Sequence, residues 1–571
     1  MTKKTSKALA LLAGASLLIA ACGGDDGDTS TDETSAPATE APADTEAPDA
    51  TDAPAAEAAM RVTIDINPDA VWEDGSPITV ADFECTWNAS LNTPGSIGTT
   101  GYDKIISIVA GASDQQVVVE FSEVYAPYKL LFGGLIKAAA VEDCNDVSAD
   151  FADIIEISGR EWVMESWSPE QLVFTPNPNY WGDAPSTERV VMVPFADFDT
   201  QSAALLAGEV DFIYPQFFAG ITAALSDPNV ANKVEFGGDY EGFYFQSDPE
   251  RGGPFADPIF REAFVKSIDR QGVFEQIYIP LSDGQGELLE CGPIVPGQYC
   301  NDAFVGQYDP EGAIALLESN GWAKDASGYW AKDGVAPEIR WIVNTGNTRR
   351  ENTQAYLIPL LQAAGFNVVA DNCDAACYFQ QRLPALDYDM AMYISTAPPD
   401  PAYLTSSFAC DQIPSEANGQ QGQNSTGWCN EEATALLKEA DVTVDEAARA
   451  ELVKQVMTLM AGDYVMLPLF QFPKSGFWRT DRVGGPVDGE LNNYRAFNNF
   501  SQWEDVDGDG QIIIGAEQWP ECLNPITECA NSSWMVWTTA FPVLPGVWDT
   551  TNDGRLEITN MVVSEPLVEI L

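Results

Sequence analysis

The sequence predicts an α/β fold. Three observations point that way. From residue 60 onward, segments with the two-residue period of strands interleave with amphipathic segments of helical period. Hydrophobic residues make up 45% of the chain and aromatic residues 11%, enough to build buried cores. At 571 residues the chain exceeds one small domain, so more than one core is expected.

Arg61 to Asn67 alternates apolar and polar residues and predicts the first strand. Val117 to Phe121, Val190 to Pro194 and Val210 to Tyr214 predict further strands. Asp197 to Gly208 predicts a helix with Ala203, Ala204, Leu206 and Ala207 on one side. Pro258 to Tyr278 predicts one long helix whose apolar stripe is Phe260, Ala263, Phe264, Ile268 and Val273. Helices over Pro310 to Asn320 and Glu351 to Ala364 are stopped by Gly321 and Gly365. Strands are expected at Glu338 to Asn344, Asn367 to Ala370 and Asp389 to Ser395. Two more helices are expected at Glu431 to Ala440 and Val444 to Asp463.

Charge and composition exclude several functions. The formal net charge is -59, from 87 acidic and 28 basic residues. Nucleic-acid binding needs a Lys/Arg surface, and anionic lipid would be repelled. The chain contains no histidine, which removes Ser-His-Asp triads, Cys-His dyads and histidine-based metal sites.

The N-terminal residues read as an address. Lys3, Lys4 and Lys7 precede the apolar run Ala8 to Ala21, too short to span a membrane and typical of a signal peptide over residues 1–21. Ile19-Ala20-Ala21-Cys22-Gly23 resembles a lipobox, which implies that Cys22 is diacylated and becomes the new N-terminus. Residues 22–59 would then be an anchored acidic tether, rich in Asp, Glu, Thr, Ala and Pro with little to bury, and expected to be disordered. No later apolar run is long enough to span. The expected location is extracytoplasmic, on the outer face of the cell membrane in the periplasmic space or cell-wall zone.

Of 11 cysteines, setting Cys22 aside leaves ten, and these fall into neighbouring pairs. The expected disulfides are Cys85–Cys144, Cys291–Cys300, Cys373–Cys377, Cys410–Cys429 and Cys522–Cys529. Spacing alone does not fix connectivity. Metal-binding thiols are the alternative, but Cys373 and Cys377 lack a second close pair suited to zinc.

The stretch Asn67 to Phe83 (NPDAVWEDGSPITVADF) strongly resembles the peptide/oligopeptide/nickel family of solute-binding proteins, family 5. Its local chemistry is coherent: Asp74-Gly75 is a turn, and Thr79 is a helix N-cap three residues before Asp82. Further matches run in family order. They are FTPNPNYWG from Phe174, ALLAGEVDF from Ala204, Phe255 to Arg270, Tyr308 to Trp322, Asp389 to Pro401 and Val465 to Leu469. Gln511 to Pro525 resembles the segment that opens the family's mature fold. In the family, the stretch equivalent to residues 526–571 leads into the strand matched here by Arg61 to Asn67. A circular permutation is therefore expected, with a gene-model artefact as the alternative.

The resemblance implies a two-lobed periplasmic-binding-protein-like fold of type II, cluster C, with the ligand cleft between the lobes. Lobe I would combine residues 60–250 with 480–571, and lobe II would be 251–479. It implies ligand contacts from Trp534, Trp537, Phe243, Tyr244 and Phe245 in lobe I, with one face of the Phe243 to Phe245 strand turned to the cleft. Tyr393, Ser395, Thr396 and Asp400 would contribute from lobe II. Plain core packing is the competing reading for each. Peptide binders of this family carry an aspartate three residues before the Asp-Pro aspartate, paired with the ligand's terminal ammonium. Ala397 stands there, which argues against a free-amine peptide.

Asp505, Asp507 and Asp509, with Gly510, match the first half of a calcium loop. Position 12 is Ala516, and Glu517 comes one residue late. A structural calcium and a plain acidic turn are both open, and no cofactor is otherwise required. The implied function is a monomeric, non-enzymatic lipoprotein that captures a small molecule, a peptide or similar, for an ABC permease by hinge closure. A sensory receptor of the same fold and, less favoured, a carboxylate-dependent hydrolase are the alternatives.

Overall fold

Strand β1 (Met60–Asp65) alternates buried and half-buried side chains, the two-residue period of a strand covered on one face. It lies in a four-stranded antiparallel sheet with β2 (Ile105–Ala110), β3 (Gln116–Phe121) and, at the far end of the sequence, β20 (Leu567–Ile570). The computed structural model describes residues 57–571 except 97, 196–197, 216–223, 225, 281–283, 285, 375–376, 416–421, 488–498, 517–518, 521, 532–533 and 552–554. The expected signal peptide, Cys22, nearly all of the tether and Glu517 lie outside them.

A second sheet has ten strands. In chain order they are β4 (Trp162–Trp167), β5 (Leu172–Pro176), β6 (Val190–Pro194), β7 (Phe212–Ile213), β8 (Val230–Phe245), β11 (Glu338–Ile342), β12 (Asn367–Ala370), β13 (Met390–Thr396), β14 (Met466–Arg479) and β17 (Ile512–Ala516). The remaining strands form short pairs: β9 (Ala323–Lys324) with β10 (Trp330–Ala331), β15 (Val483–Gly484) with β16 (Glu504–Asp505), and β18 (Trp548–Thr550) with β19 (Leu556–Ile558). The spatial order of the large sheet is β12-β11-β13-β8-β14-β7-β17-β6-β5-β4.

This order explains the two lobes. β8 and β14 are long antiparallel partners. The Asp239–Phe245 half of β8 also pairs with β13, while Phe477 and Trp478 of β14 pair with β7. One pair of strands thus serves both ends of the sheet. The register shifts between Pro468 and Phe470 and again between Gln471 and Pro473. Proline cannot donate to a ladder, so it is tolerated at such irregularities. The crossing strands are therefore bulged midway between the lobes.

The hydrophobic cores divide at the same place. One core draws on residues from Met60 to Tyr214 and from Val483 to Val562. Two others draw on residues from Tyr240 to Phe472. β17 sits between β6 and β7 and runs parallel to both, with Ile512 and Ile514 fully buried. Asp211 fastens it, accepting from the Ile513 N–H at 2.7 Å and pairing with Arg482 at 3.2 Å.

The family-like motifs act as fasteners. Asp82 accepts from the Thr79 N–H (2.9 Å), the Trp72 indole (3.2 Å) and the Ala138 N–H (2.9 Å). Gly75 makes its turn at φ 83°, where a side chain would be strained. Asn179 donates to the Glu73 carbonyl. All five expected disulfides are formed: Cys85–Cys144, Cys291–Cys300, Cys373–Cys377, Cys410–Cys429 and Cys522–Cys529.

The single helix expected over Pro258 to Tyr278 is broken. A helix spans Pro258–Lys266, another begins at Arg270, and Phe274–Tyr278 is a π-turn. Asp269 breaks it, because its carboxylate caps the second helix by accepting from the Gly272 N–H at 2.9 Å. Arg270 then donates to the carbonyls of Leu289, Pro468 and Phe304, tying this turn to the crossing strand.

Candidate functional site

The crossing strand β8 has two faces. Phe243 and Phe245 turn into the core formed with Phe255, Phe264 and Trp341. Tyr240 and Tyr244 turn the other way, into a cavity of about 150 Å3. Of the residues expected to touch ligand, Tyr244, Tyr393, Ser395 and Thr396 line this cavity, whereas Phe243 and Phe245 do not. The correction has a simple cause. Alternation along β8 puts adjacent residues on opposite faces, and its cavity-lining residues, Tyr240 and Tyr244, share one parity.

The strand register assembles the wall. Tyr393 lies opposite Gly242, Ser395 opposite Tyr240 and Thr396 opposite Asp239. The rings of Tyr244 and Tyr393 stack with centroids 4.0 Å apart and planes 9° apart. The Tyr244 hydroxyl bonds the Ser395 hydroxyl at 2.8 Å, and the Tyr393 hydroxyl bonds that of Ser425 at 3.0 Å. Burial pushes Tyr240 up to about 12 and raises Tyr244 and Tyr393 above the ordinary phenol value, so these hydroxyls stay neutral.

The segment from Gln423 to Thr426 closes the cavity. Gln423, Ser425 and Thr426 line it, together with Tyr403, Ser407 and Phe408 from the helix Tyr403–Phe408. Asn424 holds the loop, donating to the carbonyls of Ala409 and Trp428, and Cys410–Cys429 ties its ends. None of these six is singled out by the sequence alone, nor is Tyr240. Tyr240 was discoverable, since it shares the parity of Tyr244. The loop residues carry no periodic signal, and only the folded loop brings them to β13.

Asp400, expected to touch ligand, does not line this cavity. It is 9% exposed and forms a two-pronged pair with Arg449, at 2.5 and 2.7 Å. Its charge is spent inside the lobe. Trp537 is 39% exposed, stacks on Phe541 with centroids 6.0 Å apart, and does not line the cavity. The side chain of Trp534 lies outside the described residues.

Beside Asp400, Asp441 is pushed up to about 6 by burial, with the Asp400 charge adding to it; the Thr405 hydroxyl at 2.7 Å and Arg449 oppose the shift. Asp441 also sits at the carboxyl end of the helix Glu431–Val442, where negative charge is disfavoured. A carboxyl raised from its ordinary value near 3.8 costs nothing below pH 4, and its penalty grows as pH rises through 6. Asp441→Asn is therefore expected to stabilise the protein by about 1–2 kcal/mol above pH 7, after allowance for partial exposure, and to be neutral below pH 4. Denaturant titrations at the two pH values check this, and equal stability of the two proteins at pH 7.5 would refute it.

Asp505, Asp507 and Asp509 bring carboxylate oxygens within 4.8 Å of one another. Both oxygens of Asp505 accept backbone N–H bonds, from Gly508 at 2.8 Å and Gly510 at 2.7 Å. Asp507 faces Arg482 at 3.7 Å.

A model of the bacterial extracellular solute-binding proteins, family 5, matches residues 50–416. The chain belongs to that family. Among curated relatives of this family 5 protein, the oligopeptide-binding protein OppA of Mycobacterium tuberculosis is 24% identical over 423 residues, covering 72% of this chain and 69% of OppA. Among solved structures, the periplasmic EDTA-binding protein EppA superposes with a TM-score of 0.67 at 19% identity, covering 78% of this chain and 85% of EppA. The oligopeptide-binding protein AppA from Bacillus subtilis, in complex with a nonapeptide, gives 0.57 at 20% identity, with 78% and 87% covered. These structures establish for the family 5 chain the two-lobed α/β fold that its sheet order displays. Another curated relative, a putative ABC transporter peptide-binding protein of Brucella ovis, is 24% identical over 363 residues, covering 60% of this chain and 64% of that protein. Among the described residues, no helix is long and apolar enough to cross a membrane.

Proposed function

We propose that this family 5 protein captures a small solute outside the cytoplasm and passes it to an ABC permease without altering it chemically. The observation that carries the reading is the cavity's position. It opens on β8, the strand shared by both ends of the ten-stranded sheet, close to the two register shifts of β14. Bending there would swing lobe I over a ligand seated on lobe II, a hinge closure of the ordinary kind. The lobes of this reading are residues 60–250 with 480–571, and 251–479, the crossing strands being shared between them. Acylation of Cys22, the tether over 22–59 and a monomeric state belong to the same proposal.

Circular permutation belongs to it as well. Its support is spatial: β20 pairs with β1, and the Leu571 N–H donates to the Ala59 carbonyl at 2.9 Å. Calcium at Asp505, Asp507 and Asp509 would serve as a structural ion on the turn that this rearrangement requires.

Thermal-shift measurements on the purified protein with peptides, saccharides and metal chelates, with and without calcium, test the reading. A ligand that binds only the native state adds ~2.7 kcal/mol at a hundredfold excess over Kd. One ligand class is expected to raise the melting temperature and to be recovered unchanged. Consumption of that ligand would overturn the non-enzymatic part, and silence across all classes would overturn solute capture.

A further inference from the structure

The cavity is unusual in what it lacks. Among the described residues, four tyrosines, three serines, two threonines, one glutamine and one phenylalanine line it, and none of these carries charge. Two carboxylates close in sequence to the lining residues are already neutralised. Asp239 pairs with Lys474 at 2.7 Å and accepts from the Thr396 hydroxyl, also at 2.7 Å. Asp400 is committed to Arg449. A ligand ammonium or carboxylate placed here would lose its hydration and find no counter-ion among the described lining residues, a cost of several kcal/mol per charge. Anions face the further repulsion of a chain carrying -59.

What the wall does offer is specific. Nine hydroxyl-bearing side chains surround the cavity, and a hydroxyl both donates and accepts. Tyr244, Ser395, Tyr393 and Ser425 already bond one another in pairs, which fixes their directions and leaves further hydrogen-bonding capacity on each oxygen. Between these polar groups lie flat aromatic rings that can cover C–H faces. The volume, about 150 Å3, is below the ~300 Å3 at which drug-sized pockets begin, so it suits one ring rather than a chain of residues.

We infer that this cavity receives one uncharged, hydroxyl-rich ring of a saccharide, and that the ligand is neutral where it meets β8 and β13. The inference rests on the solute-capture reading and adds the ligand class to it. The same lining explains why no aspartate is needed at Ala397: a neutral ring brings no ammonium to compensate.

Calorimetric titration of the purified protein tests it with three probe sets. They are neutral disaccharides (cellobiose, maltose, lactose and gentiobiose), trialanine with free termini, and ferric EDTA. At least one disaccharide is expected to bind, with a Kd that hardly changes between low and high salt. Ser395→Ala and Ser425→Ala should each weaken it about tenfold, the worth of one hydrogen bond, with the melting temperature of the unliganded variants kept as a folding control. Binding of trialanine or ferric EDTA with every disaccharide silent would overturn the saccharide assignment while leaving solute capture intact. Disaccharide binding indifferent to both serine substitutions would overturn this cavity as its seat. Silence of all three sets would overturn the inference together with the reading beneath it.

Discussion

Replacing Glu241 by glutamine is expected to cost about 3–5 kcal/mol of folding stability, the largest loss for any single substitution proposed for this protein. Glu241 is fully buried on β8, with the parity of Phe243 and Phe245 and so on the face opposite the cavity. Arg350 reaches it at 2.6 Å, Arg349 at 2.9 Å and the Tyr278 hydroxyl at 3.0 Å. Both arginines begin the helix Thr348–Ala364, and Tyr278 ends the π-turn. One carboxylate thus pins two other elements to the crossing strand. Burial alone would raise its pKa, but the two guanidiniums overcome that and bring it down to about 2. Glutamine keeps the shape and leaves two buried cations facing each other with no anion.

The same group sets an acid limit. Its folded pKa is depressed, so its contribution is complete above the ordinary glutamate value near 4.5 and is lost as pH falls toward 2. The depression corresponds to about 3 kcal/mol. Wild type and Glu241→Gln should therefore differ most at neutral pH and converge near pH 2. Urea titrations at pH 7 and at acid pH give both numbers. A variant as stable as wild type at pH 7 would show that the arginines find other partners and that the cluster holds nothing together.

Much of this architecture was legible in the sequence, for reasons that differ by element. β6 and β12 were found with their observed ends because short valine-rich runs bounded by polar residues or proline are too brief for a helix. The disulfides were legible because each partner is the next cysteine along the chain, even across the 59-residue separation of Cys85 and Cys144, and loop closure favours such neighbouring pairings. The break at Asp269 was not. An aspartate inside a good apolar stripe reads as an exposed helical residue until its carboxylate is seen to cap the next turn. The site divided along the same line. Tyr393, Ser395 and Thr396 line the cavity because the strand before Asp400-Pro401 ends there. The pairing of Asp400 was not legible, because its partner Arg449 lies 49 residues away on the helix Glu446–Gly462, and sequence gives no sign of which carboxylates are already paired. Ser425 and Thr426 depend on a loop closed by Cys410–Cys429, whose path no periodicity describes.

Moving residues 511–571 to the other end of the fold should leave it standing, whereas deleting them should abolish it. The deletion is the simpler half. It would remove β17 from between β6 and β7, leaving two parallel strands with open edges in the sheet's interior. It would also strip Ile512, Ile514, Leu523, Met535, Val543 and Val547, all fully buried, from the lobe I core. At about 1.5–3 kcal/mol each, these six alone are worth roughly 9–18 kcal/mol, against a total stability of about 5–15 kcal/mol for a typical domain. The truncated chain is expected to be insoluble or to show no cooperative transition. Relocation keeps every one of those contacts. Ile570 lies opposite Met60, and the Leu571 N–H already bonds the Ala59 carbonyl, so an Asn-Gly turn between Leu571 and Ala59 would make β20 and β1 an ordinary two-residue hairpin. The new break, after Gly510, falls in the exposed turn Gly508 to Gly510, where chain ends are best tolerated. The relocated protein should melt within about 2–4 °C of the original, a difference near 1 kcal/mol for a cooperative unit of about 150–250 residues, and bind the same ligand. Such an outcome would establish that the C-terminal segment is the fold's opening segment in a new place. A relocated chain as unstable as the truncated one would mean instead that residues 511–571 need their present connection to Gly510, and the permutation reading would fall.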